Sequence, residues 1–225
     1  NPTLSANGIS ITTGQLAADS ASIIASTGPV AITTDARFRT TVAGLTGDLA
    51  FGQILAPNGA VTLTSFRNIN GTGIETTGAL SATSGGAIDI TKTLAASIAM
   101  TAATTLHIAD LDTLTGTATL NATGAITLDD ATTAAALTAT SSGSNVTLSL
   151  GNIGGALTLS AANNALLGTV SAATGVAITA GGTITGTSIA TTGAPLSLTA
   201  PGGIAVTNIL STGTTNLAAV NGAIA

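Results

Sequence analysis

The sequence predicts an all-β chain wound as a right-handed, single-stranded parallel β-helix (a β-solenoid) of about eleven coils, with 18–20 residues per coil. Three observations predict it. The chain is almost without charge and aromatic rings yet rich in β-branched residues. It repeats at an interval of 18–20 residues. Within each repeat, apolar and hydroxyl residues alternate with period two.

Charged residues make up 6% of the 225-residue chain, against roughly a quarter in an ordinary soluble domain. Aromatic residues are 1%, with no Trp or Tyr, while 45 residues are Thr. Disordered chains are charge-rich and poor in β-branched residues. This one has a mean hydropathy of +0.60 and abounds in Ile, Val and Thr, whose stiff side chains suit an extended backbone. Gly, Ser or Thr interrupts every apolar stretch, so no run approaches the roughly 18 apolar residues of a membrane-spanning helix. Cysteine is absent, which excludes disulfides and thiolate metal sites. Four basic residues against nine acids provide no basic patch, and neither nucleic acid nor membrane insertion is expected. All thirteen charged residues lie between Asp19 and Asp130. A surface carrying no charge from residue 131 to 225 suits a fibre coated with hydroxyl and amide groups.

The coils read 60–78, 79–97, 98–116, 117–135, 136–155, 156–175, 176–193 and 194–213. Each opens on an alternating segment such as Val61-Thr62-Leu63-Thr64, Leu157-Thr158-Leu159-Ser160 or Leu196-Ser197-Leu198-Thr199. A small-residue turn and a second alternation follow, as in Ile88-Asp89-Ile90 and Val146-Thr147-Leu148. Glycines recur at the coil ends, where corners are tight. So short a strand buries no face alone; stacked on its copies one coil away, it hides Leu, Ile, Val and Ala and shows Thr, Ser and Asn. Residues 1–225 are expected to form one continuous solenoid, regular over 60–225 and less regular over 1–59, with an insertion near 36–47. The chain is expected to be a fragment or subunit of a longer fibre.

The Gly-to-Gly coil with its Leu-Thr-Leu or Ile-Thr-Leu core resembles the filamentous-haemagglutinin-type repeat of two-partner-secreted adhesins, and the passenger regions of some autotransporters. The resemblance covers 60–225 well and 1–59 loosely. Ala56-Pro57-Asn58-Gly59 differs by its first residue from the Asn-Pro-Asn-Gly signature of that family's secretion domain. The resemblance implies a non-catalytic structural or adhesive shaft, extracellular or on a bacterial cell surface. Its expected contacts are with host cells, sister cells or surfaces, and with itself, end-to-end or laterally. A self-assembling filament subunit of a sheath or matrix fibre is an alternative. A glycan-active enzyme, or a calcium- or ice-binding module, on a β-helix scaffold is another.

The coil frame sets Asp110 over Asp129, nineteen residues on, near Asp112, Asp130 and Lys92. Asp110, Asp112, Asp129 and Asp130 are the candidate metal ligands, because Ca²⁺ takes several oxygen donors; the competing reading is a solvated acidic corner beside Lys92. Calcium aside, no cofactor is expected. A catalytic acid pair needs bases and aromatic platforms nearby, and only Lys92 is close. Gly85-Gly86-Ala87-Ile88-Asp89 has part of a Gly-rich calcium-solenoid repeat, once and without the third Gly, and reads as a turn followed by a strand. His107 is the sole histidine, so it heads no histidine metal cluster. Arg37-Phe38-Arg39 and Phe66-Arg67 read as loop excursions. Ice binding needs threonines held to one Thr-x-Thr column, whereas here they read as spread over several coil faces.

Overall fold

The computed structural model describes residues 48–65, 67–192 and 194–225 with their side chains, and before them the backbone of four strands, β1 (Thr3–Ala6), β2 (Ile9–Thr13), β3 (Leu16–Ala25) and β4 (Val30–Thr34). The insertion expected near 36–47 lies outside the described residues. So do Arg37, Phe38, Arg39 and Phe66.

The fold is the expected parallel β-solenoid, with no helix among the described residues. Two eleven-stranded parallel sheets run the length of the stack, one of odd-numbered and one of even-numbered strands. The odd strands continue as β5 (Leu49–Ala56), β7 (Ile69–Thr76), β9 (Ile88–Ala95), β11 (Leu106–Thr113), β13 (Ile126–Thr133), β15 (Val146–Ile153), β17 (Ala165–Ala172), β19 (Thr183–Thr191) and β21 (Gly203–Ser211). The even strands continue as β6 (Val61–Ser65), β8 (Ala79–Ser84), β10 (Ser97–Ala102), β12 (Ala118–Ala122), β14 (Leu137–Ser141), β16 (Ala156–Ala161), β18 (Gly175–Ala180), β20 (Leu196–Thr199) and β22 (Thr215–Ala218). These eighteen strands, two to a turn, make nine turns described in full, rather than about eleven.

The period expected from the sequence is the pairing period. Ile88 pairs with Leu106, Leu106 with Ile126, Ile126 with Val146 and Val146 with Ala165. Each in-register step places a residue directly over its counterpart, so the chain builds columns as well as strands. One inward column runs Leu49, Ile69, Ile88, Leu106, Ile126, Val146, Ala165, Ile184, Ile204, and every member is buried. Fully burying a Leu or Ile side chain is worth ~1.5–3 kcal/mol, so such columns hold the stack together.

The odd strands are bent. Their burial alternates, breaks at two successive outward residues, then alternates again, as at Asp129-Asp130 in β13 and Ser149-Leu150 in β15. The even strands from β6 to β16 alternate without a break, as in Val61–Ser65 and Ala79–Ser84. Each coil therefore has three flat runs, two from an odd strand and one from an even strand.

Not every hydroxyl faces outward, as the sequence pattern implied. Ser65, Thr76, Ser84, Thr113, Thr133 and Ser141 are buried at strand ends. Their hydroxyls donate to turn carbonyls: Thr113 to Gly116 at 2.9 Å, Thr133 to Ala135 at 2.8 Å, Ser141 to Gly124 at 2.7 Å. The chain turns there, so its carbonyls leave the ladder and need another donor. Asn side chains satisfy backbone groups at another corner. The Asn145 Oδ1 accepts from the Asn164 N–H at 3.0 Å, and the Asn164 Oδ1 from the Thr183 N–H at 2.9 Å. Glycine is required where coils approach most closely: a Cβ on Gly168 would collide with the Ser149 carbonyl. Gly175 and Gly203 take φ of 138° and 124°, which side chains disfavour.

Leu148 is fully buried, whereas Leu150, two residues on, is 51% exposed. Leu148→Ala is expected to cost ~2–5 kcal/mol and Leu150→Ser under ~0.5 kcal/mol. Urea denaturation of the two variants checks both the register and the bend between them.

Candidate functional site

Two surfaces hold what chemistry the described chain offers, one on each sheet. The charged groups gather on the odd sheet, at and beside its bend. At the bend, Lys92 of β9 pairs with Asp110 of β11, and Asp110 with Asp130 of β13. The expected stacking of Asp110 on Asp129 is thus corrected by one residue. The β11–β13 step is twenty residues, not nineteen, because register follows the buried columns and not a fixed count.

The shift divides the four acids. The Lys92 Nζ lies 3.1 Å from the Asp110 Oδ2, and that partner holds the lysine pKa above its ordinary value. Asp129 faces the other side of the bend, where the His107 Nε2 is 3.3 Å from its Oδ2. The His107 Nδ1 is 2.9 Å from the Asp89 Oδ1 of the preceding coil. One imidazole thus ties three successive coils, β9, β11 and β13. Asp112, one step beyond the bend, has its carboxyl pKa raised by partial burial and then by the neighbouring Asp110 charge, against the pull of Lys92.

A histidine between two carboxylates donates to both only when both ring nitrogens carry protons. Burial by itself would lower the imidazole pKa; the hydrogen bonds to Asp89 and Asp129, and their charges, outweigh it and hold the pKa above 6.5.

As for the expected calcium ligands, Asp110 is engaged by Lys92 and Asp129 by His107. No group of three or more His, Cys, Asp or Glu that could hold a metal ion occurs among the described residues. Gly85 and Gly86 sit in a turn and Ile88-Asp89 opens β9, so this segment is the expected turn and strand. Two shallow hollows of about 250 Å³ flank the region. One is lined by Phe51, Asn70, Gly71, Thr72, Asp89 and Thr91, with the Phe51 ring buried beneath it. The other is lined by Leu55, Pro57, Leu94, Leu114 and Glu75 among others. Each holds a single carboxylate, so neither assembles an acid pair.

The even sheet presents the second surface, which reading the sequence missed. Its first outward column runs Thr62, Ser81, Ala99, Thr119, Thr138, Thr158, Ala177, Ser197, Asn216. The second runs Thr64, Thr83, Thr101, Asn121, Thr140, Ser160, Thr179, Thr199, Ala218. Thr12 and Thr33 stand at the same register position as Thr64, and Ser10 and Ala31 at that of Thr62. Threonine is spread over several faces, as expected, with nine outward on the odd sheet and others at corners, but it is densest on this one, at ten of the eighteen positions of the two columns. The signal was present in the opening alternation of every coil, but it appears as a face only when those segments are laid over one another.

The two surfaces define the chain as a parallel β-solenoid with one charged and one neutral face. Compared with protein families, curated proteins and solved structures, the chain matches none. Among the described residues no helix is long and apolar enough to cross a membrane.

The raised His107 pKa has a defined sign. Its stabilisation is fully present below 6.5, the unfolded value, and is lost as pH rises through the higher folded value. Half-exposed pairs of this kind are worth ~1 kcal/mol or less each. The melting temperature is expected to fall slightly from pH ~5 to ~8, and His107→Gln to abolish that slope. Calorimetry across this range checks it.

Proposed function

We propose that this chain is a shaft segment of an extracellular bacterial surface adhesin or secreted fibre and performs no catalysis. The observation that carries the reading is the unbroken pair of parallel ladders. Each strand pairs only with the coil before and the coil after, so adding a coil extends the stack without altering the coils already there. At ~4.8 Å per coil the two eleven-stranded sheets span on the order of 50 Å. An object built this way serves as a spacer. The resemblance of its coil to filamentous-haemagglutinin-type repeats supports the same role. The low charge and the absence of cysteine suit an exported chain.

Negative-stain microscopy of the purified chain tests the reading. Rods of one length, on the order of 50 Å from the coil spacing, are expected at every protein concentration. Filaments that lengthen with concentration would replace the shaft by a self-assembling subunit. Incubation with polyuronates is expected to release no product; release abolished by Asp110→Ala or Asp129→Ala would replace it by an enzyme.

A further inference from the structure

The even sheet is the more unusual of the two surfaces. None of the chain's thirteen charged residues, nor its histidine, lies on any of the eleven even strands. Of the eighteen positions of its two outward columns in its nine fully described turns, ten are Thr, three Ser, two Asn and three Ala. β-Propensity alone does not produce this. The odd sheet has four outward columns, headed by Ala50, Gly52, Gln53 and Leu55, the middle two being the adjacent pair at the bend. Of their thirty-six positions nine are Thr (Thr72, Thr91, Thr127, Thr132, Thr147, Thr169, Thr185, Thr187 and Thr207), a quarter against more than half on the even sheet. The same backbone geometry on the same coils thus accepts Asp, His, Lys, Glu, Leu and Gly on one sheet, and almost nothing but small neutral residues on the other.

The arrangement is a lattice. From β6 to β22 the even ladder runs without a register shift. Outward residues within one strand therefore repeat at roughly 6.5–7 Å, twice the rise per residue, and their copies on the next coil at roughly 4.8 Å. The hydroxyls of these threonines enter no hydrogen bond among the described residues, unlike those of the buried Thr113 and Thr133. Each offers one donor and two acceptor sites to whatever lies above. Beside each hydroxyl stands a γ-methyl, which cannot hydrogen-bond and so restricts the orientations of the water next to it.

A neutral surface periodic in two dimensions, alternating hydroxyl and methyl, best fits a neutral partner with a similar periodicity that is itself a hydrogen-bonded network. We propose that the even-strand face binds ice, by ordering water across its two columns into a layer that continues the crystal lattice. An irregular protein surface has no such repeat; a second copy of this face has one, and its docking is an outcome of the test below. A crystalline polysaccharide has one, but it is bound through exposed aromatic platforms, and among the described residues the one Phe, Phe51, is buried on the other sheet. The proposal stands on this face alone and goes beyond the shaft reading, which is silent about what the sides of the rod touch.

The test uses the whole chain and growing ice. The native chain is expected to be taken up into a slowly growing ice hemisphere, to facet single ice crystals and to produce thermal hysteresis. Thr158→Tyr and Thr101→Lys, both at exposed positions of the face, are each expected to reduce the hysteresis several-fold. Thr169→Tyr, exposed on the odd sheet, is expected to retain it. Unchanged circular dichroism and melting temperature identify the variants that remain folded, and two substitutions of different kind guard against loss of either. Exclusion of the native chain from ice overturns the proposal, as does a folded Thr158→Tyr that keeps full activity. Sedimentation of the chain with crystalline cellulose or chitin, or dimerisation that Thr158→Tyr abolishes, without uptake into ice, overturns it in favour of that other occupant.

Discussion

Hydrogen bonds along the long axis, from each coil to the next, are the constraint on which everything else in this molecule depends. A strand of four to ten residues has no lasting partner within its own coil; its backbone groups are satisfied only by the same strand one turn away. That requirement locks register, and register turns every position into a column. An inward column must then be filled by side chains that stack on near-copies of themselves, which favours Ile, Leu, Val and Ala. An outward column becomes a row of like groups at the ladder spacing. Interior packing and surface pattern thus have one origin.

The corners show how the chain meets the same constraint where the ladder is interrupted. Buried hydroxyls at the strand ends cap turn carbonyls, and the side chains of Asn145 and Asn164 substitute for backbone partners in the next coil. Polar residues that would be costly in the interior of a globule are inexpensive here, because each has a specific carbonyl or N–H to satisfy. The exception is Thr191, whose buried Oγ1 has no hydrogen-bond partner among the described residues. Gly168, inside β17 at the bend, acts differently, by letting two coils approach where a side chain would meet the Ser149 carbonyl.

Period and alternation were legible because they are one-dimensional: Val61-Thr62-Leu63-Thr64 reads as a half-buried strand with no structure in hand. The interval between Gly-ended coils gave the pairing distance to within a residue. What was not legible depends on that last residue. Coils of 18, 19 and 20 residues are interleaved, and a count of nineteen placed Asp129 where Asp130 belongs. The bend in the odd strands is equally hidden, because two adjacent outward residues such as Asp129-Asp130 look like any polar pair. The threonine face was hidden for another reason. Threonine also fills buried corners and parts of the odd sheet, so composition blurs a pattern that sheet register resolves.

The separation of charge completes the physical picture. Every charged group of the described chain lies on the odd strands or in turns. There, opposite charges on successive coils meet directly: Lys92 with Asp110, and His107 with Asp89 and Asp129. Stacking would otherwise place like charges on neighbouring rungs, as it does for Asp110 and Asp130, and repeating charges along a column accumulates repulsion. A solenoid can therefore carry point chemistry only in a few coils where partners are arranged, whereas a neutral hydroxyl column can be extended without limit. This difference explains why the ionic cluster is confined to three coils while the Thr-rich columns run the whole length of the stack. A local site gains nothing from more coils, but a surface that acts through its periodicity strengthens with each one added.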